Sequence, residues 1–232
     1  MTGAIAFALF GHDPKYSVGA IKNAELSLQV YPDWKAIFYV DTDIPKAVVD
    51  TLVKLRAEVR PPVEGIANGM FWRFCISDDP AYKRFLSRDV DSRLNAREKG
   101  AVDQWIASGL QWHMMGDHPH HIQPLMAGLF GGTSGLIPNM KNLVIKSGLA
   151  KRKYDPANSY DLDQYFLANF VYPTAKKSLL RHDSCNRHLF RDSLPFPDGQ
   201  RFAQERFVGE IIDAHDQPHP WHWQQRLNFL TP

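Results

Sequence analysis

The 232-residue sequence has few cysteines and no excess of charge of either sign. Its two cysteines, Cys75 and Cys185, belong to no CxxC pair or other metal-knuckle spacing. A disulfide framework is therefore excluded, and we expect reduced thiols in a cytoplasmic protein. Lys and Arg number 27 against 25 for Asp and Glu, which leaves no broad basic surface for nucleic acid or an anionic membrane. We expect no nucleic-acid partner.

The sequence also lacks long hydrophobic runs. No stretch approaches the ~20 consecutive apolar residues of a membrane-spanning helix, so no transmembrane segment is expected. The apolar run 4–10 has no basic residues before it and no small-residue cleavage site after it, which favours a buried first strand over a signal peptide. With 44% hydrophobic residues, residues 1–232 are expected to form a single domain with a substantial core.

Strand-like and helix-like segments alternate along the chain. The predicted strands are 4–10, 35–40, 58–63, 82–87, 111–115 and 177–180, and the predicted helices are 17–30, 45–55, 95–108 and 159–170. This order is typical of an α/β domain with a Rossmann-like, mixed but mostly parallel central sheet flanked by helices. Such sheets bind ligands at the carboxyl ends of their strands. Residues 210–232 form a tail rich in Pro, His and Trp, to which the sequence assigns no structure.

Two aspartates follow the fourth predicted strand directly. Asp89 and Asp91 are separated by one residue, so in an extended segment both side chains can face the same space while Val90 faces the opposite side. Mg²⁺ and Mn²⁺ prefer such oxygen ligands and usually complete their shell with waters and substrate phosphates. A bare DxD also occurs as two solvated loop aspartates, and the position after a buried strand is what favours a metal site here.

A DxD after an apolar strand in an alternating α/β domain resembles the GT-A fold of nucleotide-sugar glycosyltransferases. Further segments match that family in order, namely the apolar strand 7–10, the glycine-rich stretch 128–132, the Asp-Gln-containing stretch 163–167, and a late histidine, His182. The chain is also similar to small bacterial and viral glycosyltransferases in its Asn-Ala-Glu-Leu and Tyr-Pro-Asp-Trp patterns at 23–26 and 31–34. The resemblance spans roughly residues 4 to 183.

The resemblance implies transfer of a sugar from a nucleotide diphosphate donor, above all a UDP-sugar, to a hydroxyl acceptor such as a glycan. It implies Mn²⁺ or Mg²⁺ as cofactor, held by Asp91, with Asp89 on the metal or the donor ribose and His182 as a third ligand. Asp163 would be the acidic group nearest the anomeric carbon. There it takes the acceptor proton in an inverting enzyme, or stabilises or attacks the sugar in a retaining one.

Further donor contacts are expected at both ends of this region. The end of the first strand would lie against the nucleotide base, and arginines would hold phosphate oxygens, because guanidinium groups bind them in a fork. Glycines would let backbone amides approach the donor closely, unless they belong to a mobile surface loop. The expected donor residues are Phe7, Phe10, Tyr16, Arg73, Arg88, Asp89, Gly131 and Gly132; Arg93 is a further candidate, and at least one of the arginines is expected to be a surface charge.

The acceptor is expected to contact Asp117, His118 and Gly128. The histidine-rich loop 117–121 is dense enough to hold a second metal ion, but its spacing matches no known ligand pattern, and acceptor contacts or loop hydrogen bonds are favoured. The aromatic residues at 221–223 could stack on a sugar, but packing of the tail is the more ordinary function of such residues.

Other functions remain open from the sequence. A phosphatase of the haloacid dehalogenase type also uses a DxD, but places it after the first core strand with the first aspartate as nucleophile. A nucleotidyltransferase would share the fold but would need a glycine-rich, basic loop after the first strand, and residues 11–16 are poor in glycine. A catalytically silent sugar-nucleotide-binding module would keep the same donor residues without turnover.

Overall fold

A computed structural model describes residues 3–159, 161–199 and 206–220. Within these residues, seven strands form one sheet in the order β3-β2-β1-β4-β6-β5-β7. The strands are β1 Gly3–Leu9, β2 Trp34–Val40, β3 Glu58–Arg60, β4 Arg84–Arg88, β5 Trp112–Gly116, β6 Leu129–Thr133 and β7 Leu179–Asp183. The α-helices are α1 Pro14–Val30, α2 Lys46–Lys54, α3 Ala96–Ser108, α4 Met140–Ser147, α5 Leu162–Phe166 and α6 Tyr172–Ala175.

The sheet is mixed and mostly parallel. Strands β3, β2, β1 and β4 run parallel, as do β5 and β7, whereas β6 is antiparallel to both β4 and β5. The predicted fold class is therefore confirmed. One cluster of buried side chains packs under α1, α2 and α3, and a second lies on the other face, under a 3₁₀ segment at Gly69–Asp78 and helices α4 to α6.

Helix α1 packs close against the chain that follows β4. It begins at Pro14, because the Asp13 carboxylate accepts a hydrogen bond from the backbone N–H of Lys15 (2.9 Å) and proline suits the first helical position. The predicted start near residue 17 is therefore three residues late. A Cβ atom on Gly19 would overlap the carbonyl of Val90, so only glycine allows α1 to approach the chain after β4.

The glycine-rich stretch is mostly a strand in the sheet interior. A Cβ atom on Gly131 would meet the carbonyl oxygen of Phe85 at 2.6 Å, and one on Gly132 would meet the Trp112 ring at 2.7 Å. These glycines make room for neighbouring strands and large side chains. The expectation that Gly131 and Gly132 bind the donor is therefore wrong, because both positions are enclosed by protein.

The chain after residue 161 forms one interrupted helical rod. Helix α5 continues through a wider turn at Leu167–Val171 into α6. The Phe166 ring, at the end of α5, packs on Phe71 and Phe74 of the 3₁₀ segment, with ring centroids 5.7 and 6.0 Å apart. This aromatic contact fixes Asp163 of α5 relative to Arg73 of the 3₁₀ segment. No helix in the described parts of the chain is long and apolar enough to cross a membrane.

Candidate active site at the carboxyl ends of β1 and β4

A cavity of about 130 Å³ opens where β1 and β4 end side by side. Because these neighbouring strands are parallel, their carboxyl ends meet at one edge of the sheet, where α/β proteins bind ligands. The cavity is lined by Ala8, Phe10, Tyr16, Met70, Arg73, Asp89, Val90, Asp91, Tyr154 and Asp163. Residues from five separate parts of the chain, including both aspartates of the DxD, thus line one space.

The backbone that carries the two aspartates is held from below by Asn23 of α1. The buried Asn23 amide donates to the carbonyls of Val90 (3.1 Å) and Ser92 (2.8 Å), and its oxygen accepts from the N–H of Leu94 (3.0 Å). Val90 packs into the core under α1. These contacts keep Asp89 and Asp91 facing the cavity, as predicted from their spacing.

Arg73 forms ion pairs with two carboxylates that come from different parts of the chain. Its guanidinium pairs with Asp89, the first aspartate of the DxD, and donates to the Asp163 carboxylate of α5 at 3.0 Å. Only 7% of the Arg73 side chain is exposed, so the fork is desolvated and its geometry is fixed. Arg73 therefore sets the relative position of Asp89 and Asp163, and it adds one positive charge to a cavity with three carboxylates.

Asp163 is a buried carboxylate with an unusual proton affinity. Burial raises its pKa to about 6; the Arg73 guanidinium opposes this shift and the negative charge of Asp89 adds to it. Its other oxygen accepts the backbone N–H of Gln164 at 2.8 Å. A carboxylate with a pKa close to neutral, held toward a cavity, has the properties of a general base.

Asp91 carries its charge beside a lysine. The Asp91 Oδ2 atom lies 3.2 Å from Nζ of Lys15, the second residue of α1. Burial and the charge of Asp89 raise the pKa of Asp91, whereas Lys15 lowers it. The charge of Asp89 acts on Asp91 because both carboxylates line the same cavity.

Gly128 lies directly against the DxD. A Cβ atom at this position would overlap the Asp89 carboxylate, so the missing side chain makes room for that group. Gly128 was predicted to contact the acceptor. The structure places it behind Asp89, immediately before β6.

Aromatic rings form the remaining wall of the cavity. The Phe10 ring packs edge-on against Tyr154, with centroids 5.4 Å apart, and Tyr16 lines the same space from the first turn of α1. Burial raises the pKa of Tyr16, so its hydroxyl stays protonated. Phe10 and Tyr16 were predicted donor contacts, and both lie at the cavity.

The residues present fit a divalent ion that is shared with a ligand. Asp89 and Asp91 are oxygen donors lining one cavity, and together with Asp163 they place three carboxylates beside only two cations, Arg73 and Lys15. No group of three or more potential metal-binding side chains occurs in the described residues. Two carboxylates supplemented by phosphate oxygens and water suit Mg²⁺ or Mn²⁺.

Other predicted site residues lie outside the cavity. Phe7 is fully buried and stacks on Phe38, with centroids 4.7 Å apart, because its side chain faces α1 and not the strand end. Arg93 pairs with Asp216 at 3.1 Å and lines a different cavity. Phe7 is thus a core residue and not a donor contact. The aromatic stretch 221–223 lies outside the described residues.

Arg88 is also a structural residue and not a phosphate ligand. Its side chain is 1% exposed and pairs with Glu98 of α3 at 3.1 Å. The same Glu98 accepts a hydrogen bond from the Tyr31 hydroxyl at 2.9 Å. Because β4 side chains alternate, Arg88 points into the protein beneath the site. The predicted donor contact at Arg88 is therefore wrong.

We expect Arg88→Met to lower the free energy of unfolding by about 3–5 kcal/mol, because it leaves Glu98 charged, buried and without its cation. Urea unfolding monitored by circular dichroism measures the change. Lys83→Met, at an exposed position near the start of β4, is the control. If Arg88→Met left the free energy of unfolding unchanged but weakened nucleotide binding, Arg88 would have to be assigned as a donor contact.

His182 cannot serve as the third metal ligand. Both of its ring nitrogens are already paired, with His113 Nε2 at 2.9 Å and with the Gln104 side chain at 2.9 Å. The residue lies on β7, four strands away from β1 in the sheet order, and it is fully buried. Burial lowers the pKa of His182 to about 4, so this ring is neutral and structural.

Asp117 and His118 hold the loop after β5 in place and do not contact the cavity. The fully buried Asp117 carboxylate accepts from Arg97 Nε (2.9 Å), the Ser184 hydroxyl (2.6 Å) and the Val208 backbone N–H (3.0 Å). His118 stacks on Phe207, with centroids 4.6 Å apart. The predicted acceptor contacts at both positions are wrong, because these polar side chains are enclosed by protein.

Three residues at the candidate site were not predicted from the sequence. Met70 and Tyr154 line the cavity, and Lys15 contacts Asp91. Lys15 could have been found from its position in the loop after the first strand, at the same edge as the DxD. Tyr154 lies in an irregular segment after α4, and no local pattern marks it.

Comparison with known proteins gives a fold and no sequence family. No family model matches the chain, and no curated protein matches it either. Among solved structures, S. aureus TarS superposes with a TM-score of 0.53 at 12% identity over 79% of this chain. The chain has the GT-A fold. It spans about a third of TarS, 35% of that chain, and at this identity the likeness establishes the fold alone.

Two further solved structures superpose with lower TM-scores. A glycosyltransferase involved in the glycosylation of the major capsid of PBCV-1 has a TM-score of 0.49 and 15% identity, over 79% of this chain and 82% of that chain. Glucosyl-3-phosphoglycerate synthase from Mycobacterium tuberculosis, in complex with Mn²⁺, UDP-glucose and glycerol 3-phosphate, has a TM-score of 0.48 and 10% identity, over 78% and 69% of the two chains.

Proposed function

We propose that the chain is a glycosyltransferase that binds a nucleotide diphosphate sugar and a divalent ion in the cavity at the ends of β1 and β4. The observation that carries this proposal is the convergence of Asp89, Asp91, Arg73 and Asp163 on one small space in a GT-A fold. The cavity volume, about 130 Å³, suits the diphosphate and adjacent groups better than a whole donor.

In this proposal the donor is oriented by two kinds of contact, and Arg73 fixes the geometry of the site. Asp89 and Asp91 would hold Mn²⁺ or Mg²⁺, which would neutralise charge developing on the leaving diphosphate. The aromatic rings of Phe10, Tyr16 and Tyr154 would lie against the nucleoside. Arg73 keeps Asp89 and Asp163 at a fixed separation, so that the acidic group and the metal ligands face the donor together.

Asp163 would act on the reacting atoms. When ionised, its carboxylate can accept the proton of an acceptor hydroxyl, which forms the attacking oxygen of an inverting transfer. In a retaining transfer the same carboxylate would stabilise positive charge on the sugar or attack it. Both courses require the ionised form and a hydroxyl acceptor such as a glycan.

The alternative as a phosphatase is not favoured. In that class the aspartate pair follows the first core strand, whereas here β1 is followed by Phe10-Gly11-His12-Asp13 and the pair follows β4. A catalytically silent binding module would share all of the donor contacts. Slow release of nucleoside diphosphate from a nucleotide sugar in the presence of Mn²⁺ would separate the transferase from the silent module, which releases none.

We expect UDP with Mn²⁺ to raise the melting temperature by about 5–10 °C at a hundredfold excess over its Kd, because a ligand bound only by the native state stabilises it. UDP is the first nucleotide to test because TarS, whose fold this chain shares, has been crystallised with UDP-GlcNAc. GDP, CDP and ADP complete the panel, with EDTA as the control. A panel without any Mn²⁺-dependent shift would contradict the proposed donor site.

A further inference from the structure

The candidate metal site already contains a cation of its own. Lys15 Nζ lies 3.2 Å from Asp91 Oδ2, and the two side chains are only 21% and 14% exposed. This pair therefore lies in a partly desolvated setting at the rim of the donor cavity. A divalent ion bound to Asp91 would compete with Lys15 for the same carboxylate.

Lys15 can leave Asp91 without disturbing the fold. Its backbone is fixed, because its N–H donates to the Asp13 carboxylate that caps α1. Its ammonium group stands at the end of a flexible four-carbon chain, 4.8 Å from the centroid of the Tyr16 ring. The backbone can thus stay in place while the ammonium moves within the rim of the cavity.

If a divalent ion and the Lys15 ammonium were both at the rim of the cavity, they would repel each other unless an anion also bound there. A divalent ion at Asp89 and Asp91 would repel the ammonium that it displaces. A diphosphate bound to that ion would offer oxygens to the displaced ammonium, which is a compact donor that binds phosphate well. The presence of Lys15 should therefore disfavour the ion alone and favour the ion together with a diphosphate.

We propose that Lys15 occupies the position of the divalent ion at Asp91 in the ligand-free protein and turns to the donor diphosphate when the ion binds. This inference rests on the proposed function, since it assumes that the cavity takes an ion and a nucleoside diphosphate. Its consequence is a coupling between the two ligands: each binds more tightly when the other is present, by the same factor.

Lys15→Met tests the proposal, since it keeps the aliphatic chain and removes the charge. We expect Mn²⁺ alone, measured by electron paramagnetic resonance, to bind about fivefold more tightly, which is the scale of a partly exposed ion pair. We expect UDP at saturating Mn²⁺, measured by calorimetry, to bind about tenfold more weakly, which is the scale of a charged hydrogen bond. The factor that couples Mn²⁺ to UDP should shrink accordingly.

Two further variants complete the experiment. Lys15→Arg keeps the positive charge and should behave like the wild type in both measurements. Lys22→Met removes a charge from the same helix, where Lys22 pairs with Glu25 at 3.6 Å, and should change neither affinity. Unfolding curves without ligand show whether each variant is folded. If Lys15→Met does not fold, Lys15→Gln, which also removes the charge, repeats both measurements.

Unchanged or weaker binding of Mn²⁺ alone to Lys15→Met would overturn the proposal, because Lys15 would then not compete with the ion. Equal weakening of both ligands would also overturn it and would indicate a supporting structural contact. If the wild-type protein binds Mn²⁺ but no nucleoside diphosphate, the proposed function fails, while the competition at Asp91 is still measured by the first arm.

Discussion

Asp163→Asn is expected to lower kcat for sugar transfer by about 10²–10⁴-fold, with little change in donor affinity. Asparagine has the same shape, and its single amide oxygen can keep one of the two hydrogen bonds, from Arg73 or from the Gln164 N–H. It cannot take a proton or carry the negative charge that both stereochemical courses need. Initial rates with a UDP-sugar and calorimetry with UDP measure the two quantities separately.

The pH dependence of the rate provides a second test of Asp163. Because burial raises its pKa to about 6, the ionised, active form grows as the pH rises through 6 and is nearly complete above 7. We therefore expect kcat/KM, which reports the ionisation of the free enzyme, to increase up to about pH 7 and then level off. The Asp163→Asn variant should lose this rise and keep only its low rate.

Asp161→Asn is the matched control for Asp163. It removes a carboxylate two residues away at the start of α5, where the side chain is exposed and does not line the cavity. It should leave both kcat and the pH profile close to those of the wild type. Equal losses of kcat and donor affinity in Asp163→Asn would show that the residue supports the donor cavity and does not act on the reacting atoms.

The alternation of strands and helices was enough to predict the fold class and the edge of the sheet where the candidate site lies. Periodicity records which side chains are buried, and parallel strands necessarily end together, so the position of Asp89 and Asp91 followed from local pattern. Asp163 and Phe10 required the family resemblance, because nothing local distinguishes them from other aspartates and phenylalanines. Arg73 was found by its chemistry, since a forked cation suits a cluster of oxygens.

The wrong predictions share one physical cause, which is that the sequence does not show what a residue contacts across the fold. Arg88 was read as a phosphate ligand because it adjoins the DxD, yet its partner is Glu98, ten residues further along. Asp117 was read as an acceptor contact, yet Arg97 and Ser184 occupy its oxygens. In the sequence Gly131 resembles a loop glycine, whereas in the structure it is paired with β4 on one side and β5 on the other.

The Asp91→Asn variant is expected to lose the Mn²⁺ dependence of UDP binding, with affinity falling by about 100-fold or more at saturating Mn²⁺. The reason is that Asp91 is one of only two carboxylates that would hold the ion, and an amide is a much poorer ligand for it. Titration calorimetry with and without Mn²⁺ gives both affinities in the same protein.

The fold should survive this substitution. Asp91 lies beyond the end of β4, and its backbone carbonyl still accepts the N–H of Ile212 at 2.7 Å. Since burial and Asp89 raise the pKa of Asp91, a neutral amide even removes a repulsion, although Lys15 loses its partner. Asp13→Asn, near the same edge, serves as control because asparagine caps helices as well as aspartate does. If Asp91→Asn kept its full Mn²⁺-dependent affinity for UDP, the ion would not bind at this site, and the proposal of sugar transfer here would lose its physical basis.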